Sequence, residues 1–125
     1  SSAASDVYKR QASRSAEMTE IKVTKKNGSV VRVVCDGHTG YGVEGEDIVC
    51  AALSSIVQTA LLGLLAVARV NVDFVRDDGD GRLEFSVPEL DERMRHDADV
   101  ILDTMLCGVS DLREAYSDFI DLEVN

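Results

Sequence analysis

The chain has 125 residues, 13 Lys and Arg against 23 Asp and Glu for a formal net charge of −10, and a hydrophobic fraction of 45%. This length suits one domain with a single modest core and excludes two. The acidic balance argues against RNA or DNA binding, which needs a basic surface to release counterions from phosphates, and favours a basic partner.

Residues 1–17, SSAASDVYKRQASRSAE, are polar and aperiodic and stop at Met18. They read as an unstructured expression remnant ahead of a natural start, which leaves residues 18–125 as the single domain. Lys9, Arg10, Arg14, Asp6 and Glu17 lie in the remnant, so the domain keeps 10 basic and 21 acidic side chains, a net −11.

Thr19 to Thr24 and the valine-rich Ser29 to Cys35 flank Lys25-Lys26-Asn27-Gly28, and Asn-Gly between two such runs predicts a β-hairpin. Asp36 to Asp47 carries Gly37, Gly40, Gly42 and Gly45 and reads as a loop longer than a mere connection needs. Ile48 to Val70 then reads as a helix apolar on most sides, with Leu53, Ile56, Val57, Ala60, Leu61, Leu64, Leu65 and Ala68 at three- and four-residue steps. Such a helix needs cover on several faces.

Val72 and Phe74, then Leu83, Phe85 and Val87, alternate with polar residues around a turn at Asp77 to Gly81, which predicts a second hairpin. Ser86-x-x-Glu89 resembles a capping box before a second helix striped by Leu90, Met94, Ala98, Ile101, Met105, Val109 and Leu112, with Gly108 a candidate break or bend. Ile120, Leu122 and Val124 alternate as a last strand. The order ββαββαβ implies an α/β sandwich with two helices packed on a β-sheet.

The longest pure apolar run, Ala60 to Ala68 around Gly63, is well short of a membrane span, and no segment has secretory flanks. The expectation is a soluble, cytoplasmic protein without a membrane partner. Cys35, Cys50 and Cys107 form no disulfide framework and no CxxC pair.

The informative stretch is Gly37-His38 followed by Asp47-Ile48-Val49-Cys50-Ala51-Ala52-Leu53-Ser54. With Asp47 as N-cap, Cys50 falls in the first turn of the apolar helix, where free amides and the helix dipole favour a thiolate and could hold an oxyanion. Alone, Cys50 reads as a small buried hydrophobe and His38 as a loop residue. Together, a histidine opening a long loop and a cysteine at the helix that closes it suggest a base and a nucleophile.

These residues closely resemble the ribosomal-processing cysteine protease family of bacteria, known as Prp. The match comprises Gly37-His38, eleven intervening residues, and Asp47-Ile48-Val49-Cys50-Ala51-Ala52 with Ser54, within a resemblance over nearly all of residues 18–125. It implies a cysteine endopeptidase with His38 and Cys50 as catalytic dyad and Asp47 and Ser54 in support. It also implies a mobile glycine-rich substrate loop (Gly37, Gly40, Gly42, Gly45), no cofactor, a homodimer, and as substrate the N-terminal extension of large-subunit ribosomal protein twenty-seven. Thr39, where the family commonly has alanine, is a departure that bears on the loop.

Asp47 has two competing jobs, cap of the helix or third catalytic member orienting His38, and Ser54 either contacts the site or is an ordinary helix serine. The alternative to an enzyme is a non-catalytic acidic module that docks basic ribosomal or assembly partners.

Three other motifs fail on their surroundings. Gly40-x-Gly42-x-x-Gly45 matches a dinucleotide fingerprint, but Glu44, Glu46 and Asp47 stand where a pyrophosphate would sit. Asp78-x-Asp80-Gly81 resembles a calcium loop whose first and twelfth positions are Arg76 and Val87, neither a ligand. His38, Cys35 and Cys50 are too few for a zinc site, and His96 reads as part of a wet helix face, so no metal is expected.

Overall fold

The computed structural model describes residues 18–37, 44–77 and 81–125, with the backbone alone over 44–47. The proposed remnant, residues 1–17, lies outside the described residues. The elements run β1 (Thr19–Lys26), β2 (Ser29–Asp36), α1 (Glu44–Leu62), a π-helical turn (Gly63–Val67), β3 (Asp73–Asp77), β4 (Arg82–Ser86), α2 (Glu92–Ala115) and β5 (Ile120–Val124). This is the expected ββαββαβ order.

β1 and β2 form the predicted hairpin. Asn27 and Gly28 have φ of 54° and 82°, the paired positive values that a two-residue turn of the I′ type requires. Lys26 pairs with Ser29 across it, but the register shifts one step further on, where Thr24 pairs with Arg32 and Lys25 with Val30. Val31 is therefore a bulge. It explains why Val30 and Val33, three apart, both face the core, a spacing that simple alternation forbids. The Val31 carbonyl accepts a hydrogen bond from the Val87 amide at 2.8 Å.

The strand order is β3-β4-β2-β1-β5, antiparallel except for β1 with β5. Ile21, Val23, Val33, Cys35, Leu83, Phe85 and Ile120 point to one face. Both helices cover that face, α1 through Val49, Leu53, Val57 and Ala60, continued by Leu64 of the π-helical turn, and α2 through Ala98, Leu102, Met105 and Val109. Each fully buried valine, leucine or methionine among them contributes about 1.5–3 kcal/mol. The opposite face is polar, with Arg82 bonded to Asp36 at 3.1 Å and to Glu84 at 2.9 Å. Arg82, through its hydrogen bond first, and Arg32 hold the Glu84 carboxyl below its ordinary value.

Three boundaries differ from expectation. α1 begins at Glu44, within the stretch read as loop, so Gly45 is a helix residue and Asp47 is the fourth residue of the helix, not its N-cap. The helix forms there despite Gly45, a residue that costs about 1 kcal/mol in a helix. Ser86 closes β4, and the cap of α2 is Asp91, whose carboxylate accepts from the Met94 amide at 2.9 Å. Gly108 does not break α2, which runs through it to Ala115.

The two helices meet through small residues. A Cβ on Gly108 would stand 3.4 Å from Ile56 Cγ2, and one on Gly63 would stand 3.5 Å from Ile101 Cγ2. Arg95 and Asp99 pin α2 to the hairpin, Asp99 accepting from the Ser29 hydroxyl at 3.1 Å and Arg95 donating to the Val30 carbonyl at 3.3 Å.

Ile48–Val67 is long and apolar enough to cross a membrane by length and composition alone. Its Val49, Leu53, Val57 and Leu64 are nevertheless buried in the core, which identifies a core helix. Cover on several faces is not what is seen: Ile48, Leu62 and Val67 are 65%, 62% and 78% exposed.

Candidate active site

Cys50 is the seventh residue of α1, in its second turn, because the helix starts at Glu44 and not at Ile48, where its apolar pattern begins. Its amide belongs to the helix ladder, so the expected first-turn thiolate site and the free amides for an oxyanion are both withdrawn. The thiol instead owes its position to the end of the sheet. A Cβ on Gly37 would stand 2.7 Å from Cys50 Sγ, closer than any real Cβ approaches, so only hydrogen fits at residue 37. Thr19, the first residue of β1 and itself buried, closes the same space, its Cγ2 3.2 Å and Oγ1 3.3 Å from that point. The Gly37 amide donates to the Gly81 carbonyl at 2.9 Å, which ties the end of β2 to the start of β4.

Cys50 and Ser54, one helical turn apart, line a single pocket of about 140 Å³, as does Gln58 a further turn along the same face. Cys35 and Leu83 close it from the sheet, and Arg76, Asp77, Gly81 and Arg82 complete its mouth. The structure thus brings Cys50 and Ser54 together on one cavity. His38, Gly40 and Gly42 lie outside the described residues, as does the side chain of Asp47. Gly37 is where the loop departs, and Gly45 belongs to the helix.

Cys35 is the residue that sequence reasoning passed over. The valine-rich run ends on it, yet it lies in the pocket beside Cys50. Its thiol is pushed up to about 12, first by burial, then by the neighbouring Cys50, then by Asp36. It is therefore a neutral, poorly nucleophilic wall at physiological pH. A signal was available: alternation from Val33 turns Cys35 inward, toward the helix that carries Cys50. Cys107, on α2, is exposed, and all three cysteines are free thiols.

Arg82 enters the pocket already committed to Asp36 and Glu84, so its charge is largely offset. Besides Arg76 and Asp77 at its mouth, the pocket presents from α1 a thiol, a hydroxyl one turn away and a carboxamide beyond it. That set can attack a carbonyl and hydrogen-bond a polar substrate, given a base to take the thiol proton.

The family model described as Cysteine protease Prp matches residues 18–121. Ribosomal processing cysteine protease Prp of Staphylococcus aureus is 32% identical over 95 residues, covering 76% of this chain and 87% of the relative. The solved structure of the S. aureus protease with a substrate peptide superposes with a TM-score of 0.78 at 27% identity, over 86% of this chain and 100% of that one. SMU.848 from Streptococcus mutans shares the fold, with a TM-score of 0.78 at 23% identity over 89% of this chain and 97% of its own.

Proposed function

The chain belongs to the cysteine protease Prp family, and on that premise we propose that it cleaves peptides with Cys50 as nucleophile and His38 as base, removing the N-terminal extension of large-subunit ribosomal protein twenty-seven. Family membership makes it a cysteine protease of ribosomal processing and displaces the reading as a non-catalytic binding module.

The observation that carries the dyad is the packing of Gly37 on Cys50 Sγ. His38 directly follows Gly37 in the chain, which supports its pairing with this thiol. In the reaction, His38 takes the Cys50 proton, and the thiolate adds to the scissile carbonyl to form a tetrahedral intermediate. That intermediate collapses to a thioester as His38 returns the proton to the leaving amine, and water then releases the acid and the free thiol. With the amide of Cys50 held in the helix, the Ser54 hydroxyl on the same pocket is the donor this reading assigns to the developing oxyanion.

A peptide substrate is supported by the S. aureus relative, solved with a substrate peptide and with a covalently linked product peptide. Its basic character is supported by the net −11 of residues 18–125. The reading further implies a cytoplasmic homodimer, supported by the exposed Ile48, Leu62 and Val67 and by an apolar groove of about 470 Å³ between α1 and α2. Sedimentation distinguishes a dimer from a 13.6 kDa monomer.

The deciding experiment is cleavage of a peptide spanning the processing junction by the wild type, Cys50→Ala and His38→Ala. Cleavage by the wild type alone is expected. Full activity in either variant ends the dyad assignment, and an uncut junction peptide ends the substrate assignment.

A further inference from the structure

β3 ends the sheet, so its outer edge along Asp73–Val75 has no neighbouring strand among the described residues. That edge leads directly to the pocket, since the next two residues of the strand, Arg76 and Asp77, line it together with Cys50. It is also unusually apolar for an edge, with Phe74 and Val75 50% and 59% exposed on opposite faces of the strand. We propose that an extended, basic peptide segment of the substrate pairs with the outer edge of β3 as a sixth strand, and that this pairing delivers the scissile bond to Cys50. The inference rests on the peptidase reading given under Proposed function.

Three features favour a substrate peptide there. The first is continuity: at about 3.3 Å per residue, the backbone at Val75 is some two residues from the end of the strand that borders the pocket, so one extended segment reaches both. The second is side-chain placement. Phe74 pairs with Phe85 on the helix-covered face while Val75 pairs with Glu84 on the open face, so an added strand meets an apolar neighbour on each side of the sheet. The third is charge. Asp73 opens the strand at its exposed end, and the net −11 of residues 18–125 suits a basic peptide. A second copy of β3 is disfavoured, because full-length antiparallel self-pairing would set Asp73 against Asp77.

Main-chain pairing has a signature that side-chain recognition lacks. In a strand added at an edge, alternate amides point to the partner and the rest point away. The test uses a series of junction peptides, each with one backbone N-methyl group within five residues of the scissile bond on either side. It measures kcat/KM with the wild-type enzyme and affinity for Cys50→Ala by fluorescence anisotropy. The expected profile alternates on one side of the bond, with losses of about tenfold at every second residue and near-parent values between. Of the consecutive Phe74 and Val75 amides, the one that points away from β4 should gain hydrogen-exchange protection with the parent peptide in Cys50→Ala, and its neighbour should not.

A parent peptide that is cut while the profile is flat or non-alternating overturns the pairing and leaves the peptidase reading standing. A parent peptide neither cut nor bound removes that reading and this inference with it.

Discussion

Gly37 and Cys50 occupy one space: a Cβ on the glycine would stand 2.7 Å from the cysteine sulfur, with Thr19 pressing from the other side at 3.2 Å. Gly37→Ala therefore pushes the backbone at the root of the loop away from Cys50, since neither α1 nor the buried Thr19 can yield easily. Overpacking of this kind costs about 1–3 kcal/mol of stability. A displacement near 1 Å between reacting groups costs about a hundredfold in rate. Thermal unfolding and kcat/KM for the junction peptide, measured on the same preparation, check both. An alanine variant with wild-type activity would show that the contact positions nothing.

Gly108→Ala should act in the opposite direction. Its Cβ would rest at 3.4 Å from Ile56 Cγ2, an ordinary contact, and α2 would gain helix propensity. A stabilisation of about 0.5–1 kcal/mol is expected in denaturant unfolding, with cleavage unaffected.

Cysteine reactivity should depend on the reagent. Cys107 is exposed, whereas Cys50 is 2% and Cys35 3% exposed, so a small alkylating agent should mark Cys107 at the rate of an ordinary thiol. A peptide-like electrophile that enters the pocket should mark Cys50 first and leave Cys35 untouched. Mass-spectrometric mapping reads this directly, and preferential labelling of Cys107 by the peptide electrophile would count against Cys50 as nucleophile.

Cys35 also sets an alkaline limit on stability. Its thiol titrates near 9.0 when unconstrained and near 12 in the fold, so the unfolded chain loses this proton first as pH rises. Its contribution is complete below about pH 9 and declines toward pH 12 by roughly 1 kcal/mol per pH unit. Cys35→Ala should lower stability at neutral pH through the lost packing but show a shallower fall over that window. Parallel slopes in the two proteins would contradict the burial argument.

Ionic strength should separate steering from chemistry. With residues 18–125 at net −11, a basic junction peptide should be cut faster than one stripped of its flanking lysines and arginines at low salt. The advantage should shrink as the Debye length falls to about 3 Å near 1 M. The kcat/KM values of the two peptides at low and high salt give the comparison.

Much of the architecture was legible because the signals were local. Asn27-Gly28 announced the first hairpin, and the 3.6-residue stripes of Leu53 through Leu64 and Ala98 through Val109 announced the helices. The start of α1 was not, because Gly45 and the glycines before it outweighed the acidic first turn in any reading by propensity. The bulge at Val31 was hidden for a different reason: it is a relation between strands, visible only once Thr24 and Lys25 have partners. Leu102, wholly buried, escaped the α2 stripe because it sits beside Ile101, and the turn chosen decides which of the two faces inward.

For the site, the cysteine and serine spacing showed that Cys50 and Ser54 share a helix face. The contribution of the sheet was out of reach, since nothing in the sequence tells Gly37 that its neighbour is a sulfur. Asp91, not Ser86, caps α2 because Ser86 is held in β4 opposite Arg32 and Asp73.

The hydrogen bond from the Gly37 amide to the Gly81 carbonyl joins the exits of two segments that are remote in sequence. With the pairing of Asp36 and Arg82 beside it, that bond makes the end of β2 and the start of β4 one joined rim of the pocket. A chimera that takes β2 from one relative and β4 from another mixes halves of a matched pair, and exchange between such enzymes calls for moving both strands together.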